Sequence, residues 1–285
     1  MTKTVSIYVP THNRPEMLDR ALASIVGQSY KNFQVLVCND GSSKSYKKVI
    51  EKYRSLLDDF VYLENEIPKG ACFSRNRLIN IAEGEYITGL DDDDEFLESR
   101  LEDFITSVYL DKYTFLSAGH FTKTSKGTFK QNVESGIISL PKLLSKNIVG
   151  NQIFTKTAYL IESGGFDERM PAWQDYDAWV MLTKNFGEGY KIQKYNYRWN
   201  IDHEENRISN SPKAKLGYEL FIHKHANVLT RKNLKHLYVQ DVINRNDLFT
   251  TKGIIKNFSL EILPIIARYK VNKLFPSLKK IIYKS

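Results

Sequence analysis

Cysteine is scarce in this chain, and other features that would define a membrane or secreted protein are missing. The 285 residues include two cysteines, Cys38 and Cys72, so a disulfide framework is excluded and a reducing, cytoplasmic location is the default expectation. No stretch approaches the roughly 18 consecutive uncharged apolar residues of a transmembrane helix. The first residues lead directly into an apolar strand pattern, without the long apolar region of a signal peptide.

Acidic residues are scarce at the C-terminal end. Residues 251–285 contain eight Lys or Arg and one acid, Glu261, whereas the first 250 residues hold 33 basic and 32 acidic side chains. The net charge of +8 therefore comes almost wholly from the tail. A uniformly nucleic-acid-binding surface is not indicated, and no nucleic-acid partner is expected.

The tail mixes its basic residues with apolar ones, and Pro264 and Pro276 are expected to break it into short helices. A basic amphipathic segment of this kind predicts peripheral docking of residues 251–285 on an anionic membrane, at the inner face of the cell membrane. The alternative is a helical appendage that packs on the rest of the protein and exposes its lysines to solvent.

Strand and helix patterns alternate through the first hundred residues. Short apolar runs predict the strands Val5–Val9, Phe33–Cys38, Phe60–Leu63 and Tyr86–Leu90. Between them, helical patterns span Pro15–Val26, Ser45–Leu57 and Ala71–Ala82. This alternation predicts an α/β fold with a Rossmann-like, mostly parallel sheet flanked by helices.

The pattern changes after residue 95. We expect a helix over Leu97–Leu110, an extended segment over Tyr113–Thr124 with a turn at Gly127, a helix over Trp173–Phe186 and a strand over Tyr190–Trp199. Residues 212–248 are expected to be helical. The second half of the chain therefore adds elements to the edge of the sheet, and a helical basic appendage follows.

Four consecutive aspartates, Asp91–Asp94, follow the fourth predicted strand, and Glu95 extends the acidic run to five. Like charges this close repel each other, so a compensating cation is expected. Carboxylate oxygens suit Mg²⁺ and Mn²⁺, which also hold substrate phosphates. The alternatives are a solvated acidic turn or an Asp-rich helix N-terminus.

Polar motifs end three of the predicted strands. Pro10-Thr11-His12-Asn13-Arg14 follows the first strand, Asn39-Asp40-Gly41-Ser42 the second and Asp91–Asp94 the fourth. Because the carboxyl ends of parallel strands share one edge of a sheet, these motifs are expected to converge on one crevice. Each motif alone is more often just a turn.

These motifs resemble those of glycosyltransferase family 2, whose catalytic domains have the GT-A fold. The resemblance extends to Gly70-Ala71-Cys72-Phe73-Ser74-Arg75-Asn76, to Gly165-Phe166-Asp167-Glu168 and to Trp173-Gln174-Asp175-Tyr176-Asp177. It covers about residues 4–210. It implies a catalytic domain over residues 1–210, with a nucleotide-sugar half at about 1–95 and an acceptor half at about 96–210, followed by a helical C-terminal region over 211–285.

The resemblance implies a nucleotide-sugar site lined by Pro10, Thr11, Asn13, Arg14, Asp40, Arg75, Asp91 and Asp92. In that site the Asp40 carboxylate accepts from an N–H of the base. Arg75 faces the nucleotide or its diphosphate, because a guanidinium fork suits phosphate oxygens; the alternative is a surface helix residue. Asp91 contacts the ribose or the shell of the metal, and Asp93 is the direct ligand of Mn²⁺ or Mg²⁺.

The resemblance also implies a catalytic base, Asp175, which takes the proton from the acceptor hydroxyl. Gln174 departs from the Glu that is commoner at its position, so a charge that could tune the pKa of Asp175 is missing. Asp177 is the competing candidate for the base. The bland alternative is that Asp175 is the N-cap of a helix.

His203 and Arg207 lie in a later polar segment, Asp202–Ser209. By resemblance, His203 is a metal or phosphate ligand and Arg207 a phosphate clamp; the alternative is that His203 is merely solvated. Trp173 and Trp199 are candidates for stacking on sugar faces. Trp179, at helical spacing among apolar residues, is predicted to belong to the core.

The expected activity is inverting, metal-dependent transfer of a sugar from a UDP-type donor to a hydroxyl of a glycan acceptor. We expect the acceptor to be lipid-linked, in synthesis of a surface polysaccharide such as O-antigen or capsule. The chain lacks the Gln-x-x-Arg-Trp segment of processive family members. One alternative is a nucleotidyltransferase, but its glycine-rich phosphate loop is absent after the first strand. The other is a catalytically inactive glycan-binding relative.

Overall fold

A computed structural model of the chain describes residues 4–131, 134–150, 152–201 and 212–274. The chain divides into two compact units. Unit 1 comprises Met1–Leu140, Ile148–Arg169 and Gln174–Glu205, and unit 2 comprises Pro141–Asn147, Met170–Trp173 and Asn206–Ser285. Three stretches of the predicted 1–210 catalytic domain therefore belong to unit 2: Pro141–Asn147, Met170–Trp173 and 206–210.

Ten strands and eleven helices occur within the described ranges. The strands are β1 (Val5–Thr11), β2 (Phe33–Asn39), β3 (Phe60–Glu64), β4 (Tyr86–Gly89), β5 (Glu95–Phe96), β6 (Phe115–Thr124), β7 (Gly127–Lys130), β8 (Gly136–Ile138), β9 (Phe154–Lys156) and β10 (Gly189–Asn200). The helices are α1 (Pro15–Val26), α2 (Lys47–Arg54), α3 (Ala71–Asn80), α4 (Arg100–Ile105), α5 (Leu140–Leu143), α6 (Thr157–Glu162), α7 (Gln174–Phe186), α8 (Pro212–Lys224), α9 (Arg231–Asn244), α10 (Thr251–Lys256) and α11 (Leu263–Leu274).

All ten strands belong to one sheet in unit 1. Its order is β3-β2-β1-β4-β9-β6-β10-β5, with β7 beside β6 and β8 beside β10. The first four strands run parallel, as predicted. The later strands extend the sheet beyond β4 through β9, which is antiparallel to both of its neighbours. The α/β fold is confirmed, but the complete sheet is mixed rather than mostly parallel.

Helices cover both faces of the parallel strands, which explains why every residue of β1 and β2 is buried. Successive side chains of a strand point to opposite faces. The odd-numbered residues of β1, such as Val5 and Ile7, pack in one core cluster with Leu18 and Leu22 of α1. The intervening residues of β1, Tyr8 among them, therefore point to the other face.

Unit 2 is built around helices α8 to α11. Thr230 caps α9, because its hydroxyl accepts from the Asn233 amide while the Asn233 side chain accepts from the Thr230 N–H. Ile262 and Ile266 of the tail pack with Val239 and Val242 of α9 in a small apolar core. The tail is thus at least in part a packed appendage.

The described part of the tail forms two short helices, α10 and α11, as expected, and Pro264 marks the start of the second. It lies in the first turn of α11, where a missing N–H leaves no helical hydrogen bond unmade. Pro276 lies outside the described residues. No described helix has both the length and the apolar character needed to cross a bilayer.

Candidate active site

The carboxyl ends of β1, β2 and β4 meet at one edge of the sheet, which confirms the predicted convergence of their motifs. The Thr11 hydroxyl donates a 2.7 Å hydrogen bond to Asp92. The Asn13 side chain accepts from the backbone N–H of Ser43 at 2.9 Å. One hydrogen bond between two side chains and one between a side chain and the backbone therefore tie the three strand ends together.

Two residues at these strand ends have left-handed backbone conformations. Gly41 has φ +60°, and a Cβ there would collide with the backbone of Ile67 and Pro68, so the Asn39–Ser42 turn requires glycine. Asn13 has φ 56°, a conformation that asparagine tolerates better than most residues. Asn13 and Thr11 thus shape the loop edge, and Pro10 is buried within β1.

The acidic run consists of two kinds of carboxylate. Asp92 and Asp94 are buried, whereas the side chains of Asp91 and Asp93 are 19% and 24% exposed. Asp92 accepts from Thr11, and Asp94 accepts at 2.8 Å from the hydroxyl of Tyr197. Of the four aspartates, Asp91 and Asp93 are therefore the two whose carboxylates a ligand can approach.

Arginines compensate much of the charge that the sequence attributed to a bound cation. The Arg14 guanidinium lies 2.7 Å from Asp92 and 3.2 Å from Asp93. Arg75 lies 2.8 Å from Asp91. The positive charges of these arginines offset the repulsion within the acidic run. The run is therefore not by itself evidence for a bound metal.

Burial leaves Asp92 and Asp94 with unusual proton affinities. Burial raises the pKa of Asp92 to about 7, against the opposing effect of Arg14, and Asp93 raises it further. Burial, with the charges of Asp93 and Asp91, also places the pKa of Asp94 well above its ordinary value. The acidic run is not the N-terminus of a helix, because β5 follows Asp94 directly, and the backbone N–H of Asn200 in β10 donates to the Asp94 carboxylate at 2.9 Å.

Asp40 holds the loop between β3 and α3. Its carboxylate accepts from the backbone N–H of Lys69 at 2.8 Å, from the backbone N–H of Gly70 at 2.7 Å and from the Asn65 amide at 2.6 Å. Burial raises the pKa of Asp40, but these three donors outweigh it, so the net pKa is lowered. Asp40 is therefore an ionised acceptor at the end of β2.

Arg75 lies between the acidic run and the predicted base. It is buried, which excludes the surface-residue alternative, and its guanidinium stacks over the Phe166 ring at 5.0 Å. The distance from Arg75 Nη1 to Asp175 Oδ1 is 3.7 Å. The structure thus brings Arg75, Asp91 and Asp175 together. An Arg75 contact with phosphate remains a prediction.

Asp175 is the second residue of α7 rather than the residue that precedes the helix, so a simple N-cap does not describe it. Its side chain is 23% exposed, whereas the competing Asp177 is buried. Burial raises the pKa of Asp175 to about 7; Arg75 opposes this effect and Asp91 adds to it. A carboxylate of this pKa can accept a proton near neutral pH.

The tryptophans have separate positions. Trp179 is fully buried, which confirms the core prediction. Trp199 is partly exposed beside His120, and Trp173 lies in unit 2 against Tyr218 and Phe221. The predicted ligands His203 and Arg207 lie outside the described residues.

The donor set at the strand ends fits a hard divalent cation. Asp91 and Asp93 offer partly exposed carboxylate oxygens, which Mg²⁺ and Mn²⁺ prefer. Within the described ranges, no three His, Cys, Asp or Glu side chains form a complete metal cage. This matches the way Mg²⁺ is usually held, by one or two carboxylates together with substrate phosphates and water.

Sequence reasoning missed several side chains around the acidic run and its partners, among them Tyr8 and Gln152. Gln152 is buried and donates a 3.2 Å hydrogen bond to Asp91. Tyr8 donates to Gln152 at 3.0 Å. Tyr8 sits in an apolar strand pattern, and Gln152 follows no motif, so neither carried a sequence signal.

The fold and this site define a glycosyltransferase of the GT-A fold. Residues 6–163 match the model of the family described as Glycosyl transferase family 2. This match spans more than half of the chain, and the chain belongs to glycosyltransferase family 2.

Relatives of known sequence agree with this assignment. WcaA of Escherichia coli K12, which is named as a glycosyl transferase of colanic acid biosynthesis, is 34% identical over 269 residues, covering 90% of this chain and 93% of WcaA. WfgD of Escherichia coli, named as a UDP-Glc:alpha-D-GlcNAc-diphosphoundecaprenol beta-1,3-glucosyltransferase, is 28% identical over 182 residues, covering 64% of this chain and 70% of WfgD.

Solved structures share the fold at low sequence identity. TarS 1–349 of S. aureus in complex with UDP-GlcNAc superposes with a TM-score of 0.69 at 20% identity, covering 95% of this chain and 80% of that one. The mannosyltransferase PcManGT of Pyrobaculum calidifontis, in complex with GDP-Man and Mn²⁺, superposes with a TM-score of 0.63 at 14% identity, covering 98% and 83%. These two likenesses concern the fold alone.

Proposed function

We propose that this protein is an inverting, metal-dependent glycosyltransferase that moves a sugar from a UDP-sugar to a hydroxyl of a lipid-linked glycan. The observation that carries the proposal is the position of Asp175, partly exposed and joined through Arg75 to Asp91 at the end of β4. Arg75 thus has the proposed base, Asp175, on one side and the carboxylates proposed to bind the donor and its metal on the other. An inverting transfer uses both a base and a donor site of this kind. The names of WcaA and WfgD support a role in surface polysaccharide synthesis, such as O-antigen or capsule.

The nucleotide would bind at the ends of β1, β2 and β4. Asp40, which backbone N–H groups of Lys69 and Gly70 and the side chains of Asn65 and Ser74 keep ionised, would accept an N–H of the base. Thr11 and Asn13 support this edge through the contacts described above, and Arg14 holds Asp92 and Asp93 in place. Asp91 would contact the ribose or the outer shell of the metal.

In the chemical step, Asp175 takes the proton from the acceptor hydroxyl as that oxygen attacks the anomeric carbon. A new glycosidic bond forms while the bond from the anomeric carbon to the diphosphate oxygen breaks, and UDP leaves with that electron pair. Attack opposite the leaving group inverts the configuration. Before the step, the positive charge of the buried Arg75 stabilises the ionised carboxylate of Asp175. Asp175 becomes neutral when it takes the proton.

Asp93 is the carboxylate that would bind Mn²⁺ or Mg²⁺ directly, and a cation bound there would supply charge neutralisation of the diphosphate leaving group. His203 as a further ligand and Arg207 as a phosphate clamp remain predictions. Residues 1–210 would form the catalytic domain under this proposal. Residues 211–285 would form the helical C-terminal region.

We also propose that the tail docks on an anionic membrane surface, which would place the protein at the inner face of the cell membrane. Ile255 in α10 and Phe258 and Leu260 shortly after it are exposed apolar side chains. Lys252 and Lys256 of α10 are exposed as well. The single acid, Glu261, pairs with Lys232 at 2.9 Å. An apolar edge with unneutralised lysines suits an anionic lipid bilayer.

A donor panel tests the enzymatic proposal. The protein would be incubated with UDP-glucose, UDP-galactose, UDP-N-acetylglucosamine or GDP-mannose, a synthetic lipid-diphosphate sugar acceptor and Mn²⁺, with or without EDTA. We expect sugar transfer from one UDP-sugar that EDTA abolishes, with inverted anomeric configuration in the product. Transfer at full rate in EDTA would overturn the metal requirement. Pyrophosphate release from a nucleoside triphosphate would revive the nucleotidyltransferase alternative, which the family finding disfavours.

A further inference from the structure

Gln152 is a buried amide that the mechanism above does not use. It precedes β9 and packs directly over β4, where a Cβ at position 89 would collide with its Oε1 atom and with the Tyr8 ring. Gly89 is therefore required for the approach of this pair to the strand that delivers Asp91. The tight fit indicates that the Gln152 side chain occupies one defined position.

The chemistry of its neighbours determines how the Gln152 amide is oriented. The NH₂ group of Gln152 faces the Asp91 carboxylate and donates a 3.2 Å hydrogen bond to its Oδ1 atom. The Gln152 Oε1 atom then faces Tyr8, whose hydroxyl must donate at 3.0 Å. Burial raises the pKa of Tyr8 far above its ordinary value, so this donor stays protonated.

The same Asp91 oxygen also receives the Arg75 Nη2 atom at 2.8 Å. The remaining atoms of the Arg75 fork, Nε and Nη1, have no hydrogen-bond partner in the described part of the chain, and neither does Asp175 Oδ1. Arg75 is thus shared unequally, with a direct bond to Asp91 and a 3.7 Å ion pair to Asp175. A donor on Asp91 reduces the pull of this carboxylate on Arg75.

We propose that Gln152, held by Tyr8, is a positioning residue for the transfer step: it supplies Asp91 with a second donor so that Arg75 stays shared with Asp175. This inference rests on the proposed role of Asp175 as the base. Among the described residues, the titratable or charged groups that interact with Asp175 include Arg75, Asp91, Tyr8 and Cys72. Gln152 acts on Asp91 directly, through its hydrogen bond, and on Arg75 through Asp91.

Gln152→Met tests the inference, because it keeps a similar length and removes both polar atoms. Without the amide, the negative charge of Asp91 acts more strongly on Arg75 and Asp175. We expect kcat at pH 7 to fall about tenfold, as the loss of one charge-assisted hydrogen bond predicts. The acidic limb of the kcat–pH profile should move to higher pH. Calorimetric affinity for UDP in the presence of Mn²⁺ should change by less than about threefold, since Gln152 is not placed in the nucleotide pocket.

A double mutant separates positioning from simple packing. Tyr8→Phe should produce a smaller shift of the acidic limb in the same direction, and Tyr8→Phe with Gln152→Met should be no worse in kcat than Gln152→Met alone, because the Tyr8 hydroxyl stays neutral and its hydrogen bond goes to the amide. Gln193→Met, at an exposed position of β10, is the matched control and should leave the profile unchanged. Thermal unfolding of each variant reports its folding.

Three outcomes would overturn the inference. They are an unchanged acidic limb in Gln152→Met, additive losses in the double mutant, and a loss of activity that simply follows the fall in Tm. If Asp175→Asn keeps full transfer while the wild-type protein is active, the base assignment fails instead, which is a different result from any of these three.

Discussion

The hydroxyl of Tyr197 donates a 2.8 Å hydrogen bond to the buried carboxylate of Asp94. This bond joins β10 to the acidic run, and the Asn200 N–H adds a second donor from the same strand. β10, about a hundred residues later in the chain, therefore fixes the position of the segment that carries Asp91 and Asp93, through its hydrogen bonds to Asp94.

Tyr197→Phe should destabilise unit 1, because a buried carboxylate loses one of its donors. We expect a loss of about 1–3 kcal/mol in the free energy of unfolding, the usual penalty for an unsatisfied buried polar group. Urea denaturation followed by circular dichroism measures it. Tyr195→Phe on the same strand is the control. A Tyr197→Phe variant as stable as that control would show that the bond contributes nothing.

Asp93→Ala should abolish metal-stimulated transfer, because it removes the carboxylate proposed as the direct ligand. The variant should also bind Mn²⁺ more weakly in the presence of UDP, which calorimetry can measure independently of turnover. Asp111→Ala, away from the acidic run in sequence, serves as the comparison. Unchanged turnover in Asp93→Ala would mean that the run is an ordinary acidic turn.

Asp175→Asn should remove transfer and leave donor binding intact. The amide keeps the shape of the side chain but cannot take the acceptor proton, so kcat should fall by a factor of about 10² or more. Asp177→Asn tests the competing base and is expected to retain activity, since that residue is buried. Lost donor affinity with an unchanged rate in Asp175→Asn would place the residue in the nucleotide pocket instead.

The pH dependence of kcat should show an acidic limb at about pH 7. Burial disfavours the charged form of Asp175 and raises its pKa to about 7, and only the ionised form can act as a base. Activity is therefore low below this pH and rises as the pH increases through it. A limb near pH 4, the value of a solvated aspartate, would contradict the assignment.

Membrane docking is better tested by substitution than by truncation, because deleting the tail would also expose Val239 and Val242 of α9. Lys252→Gln with Lys256→Gln should weaken binding to phosphatidylglycerol-containing vesicles about fivefold per lysine, since each charge contributes about 1 kcal/mol near such a surface. Ile255→Ser with Leu260→Ser should weaken binding further.

Sedimentation with vesicles measures both pairs, and phosphatidylcholine vesicles test the need for anionic lipid. Val108→Ser, an exposed apolar position outside the tail, should bind as the unsubstituted protein does. Equal binding of all variants would leave the tail as a packed appendage with solvated lysines.

The first four strands were predictable because each is a continuous apolar run and turn residues mark where it ends. α1 begins at Pro15 and ends at Val26, as predicted, since proline suits the first helical turn. The helix expected over Leu97–Leu110 is shorter, Arg100–Ile105, because Leu97 N donates to the backbone oxygen of Asn196 in β10. The strands β5, β8 and β9 have two or three residues, too few for any periodic signal.

The motifs identified the residues of the candidate site but not which of them are buried and which are accessible to a ligand. Adjacent aspartates look alike in sequence, yet Asp92 and Asp94 are buried and Asp91 and Asp93 are not. That division depends on partners distant in sequence: Tyr197 lies 103 residues from Asp94. Side-chain pairing over such separations follows from the tertiary fold and carries no local pattern.

Unit 2 is assembled from three separate stretches of chain, and this has a consequence for synthesis on the ribosome. The segments Pro141–Asn147 and Met170–Trp173 are translated well before Asn206–Ser285, which completes the unit. The Asn147 N–H, for example, donates to Gln240, a residue made 93 positions later. The nascent chain must therefore hold these early segments without their partners until the final residues emerge, whereas the parallel strands of unit 1 can begin to pair long before.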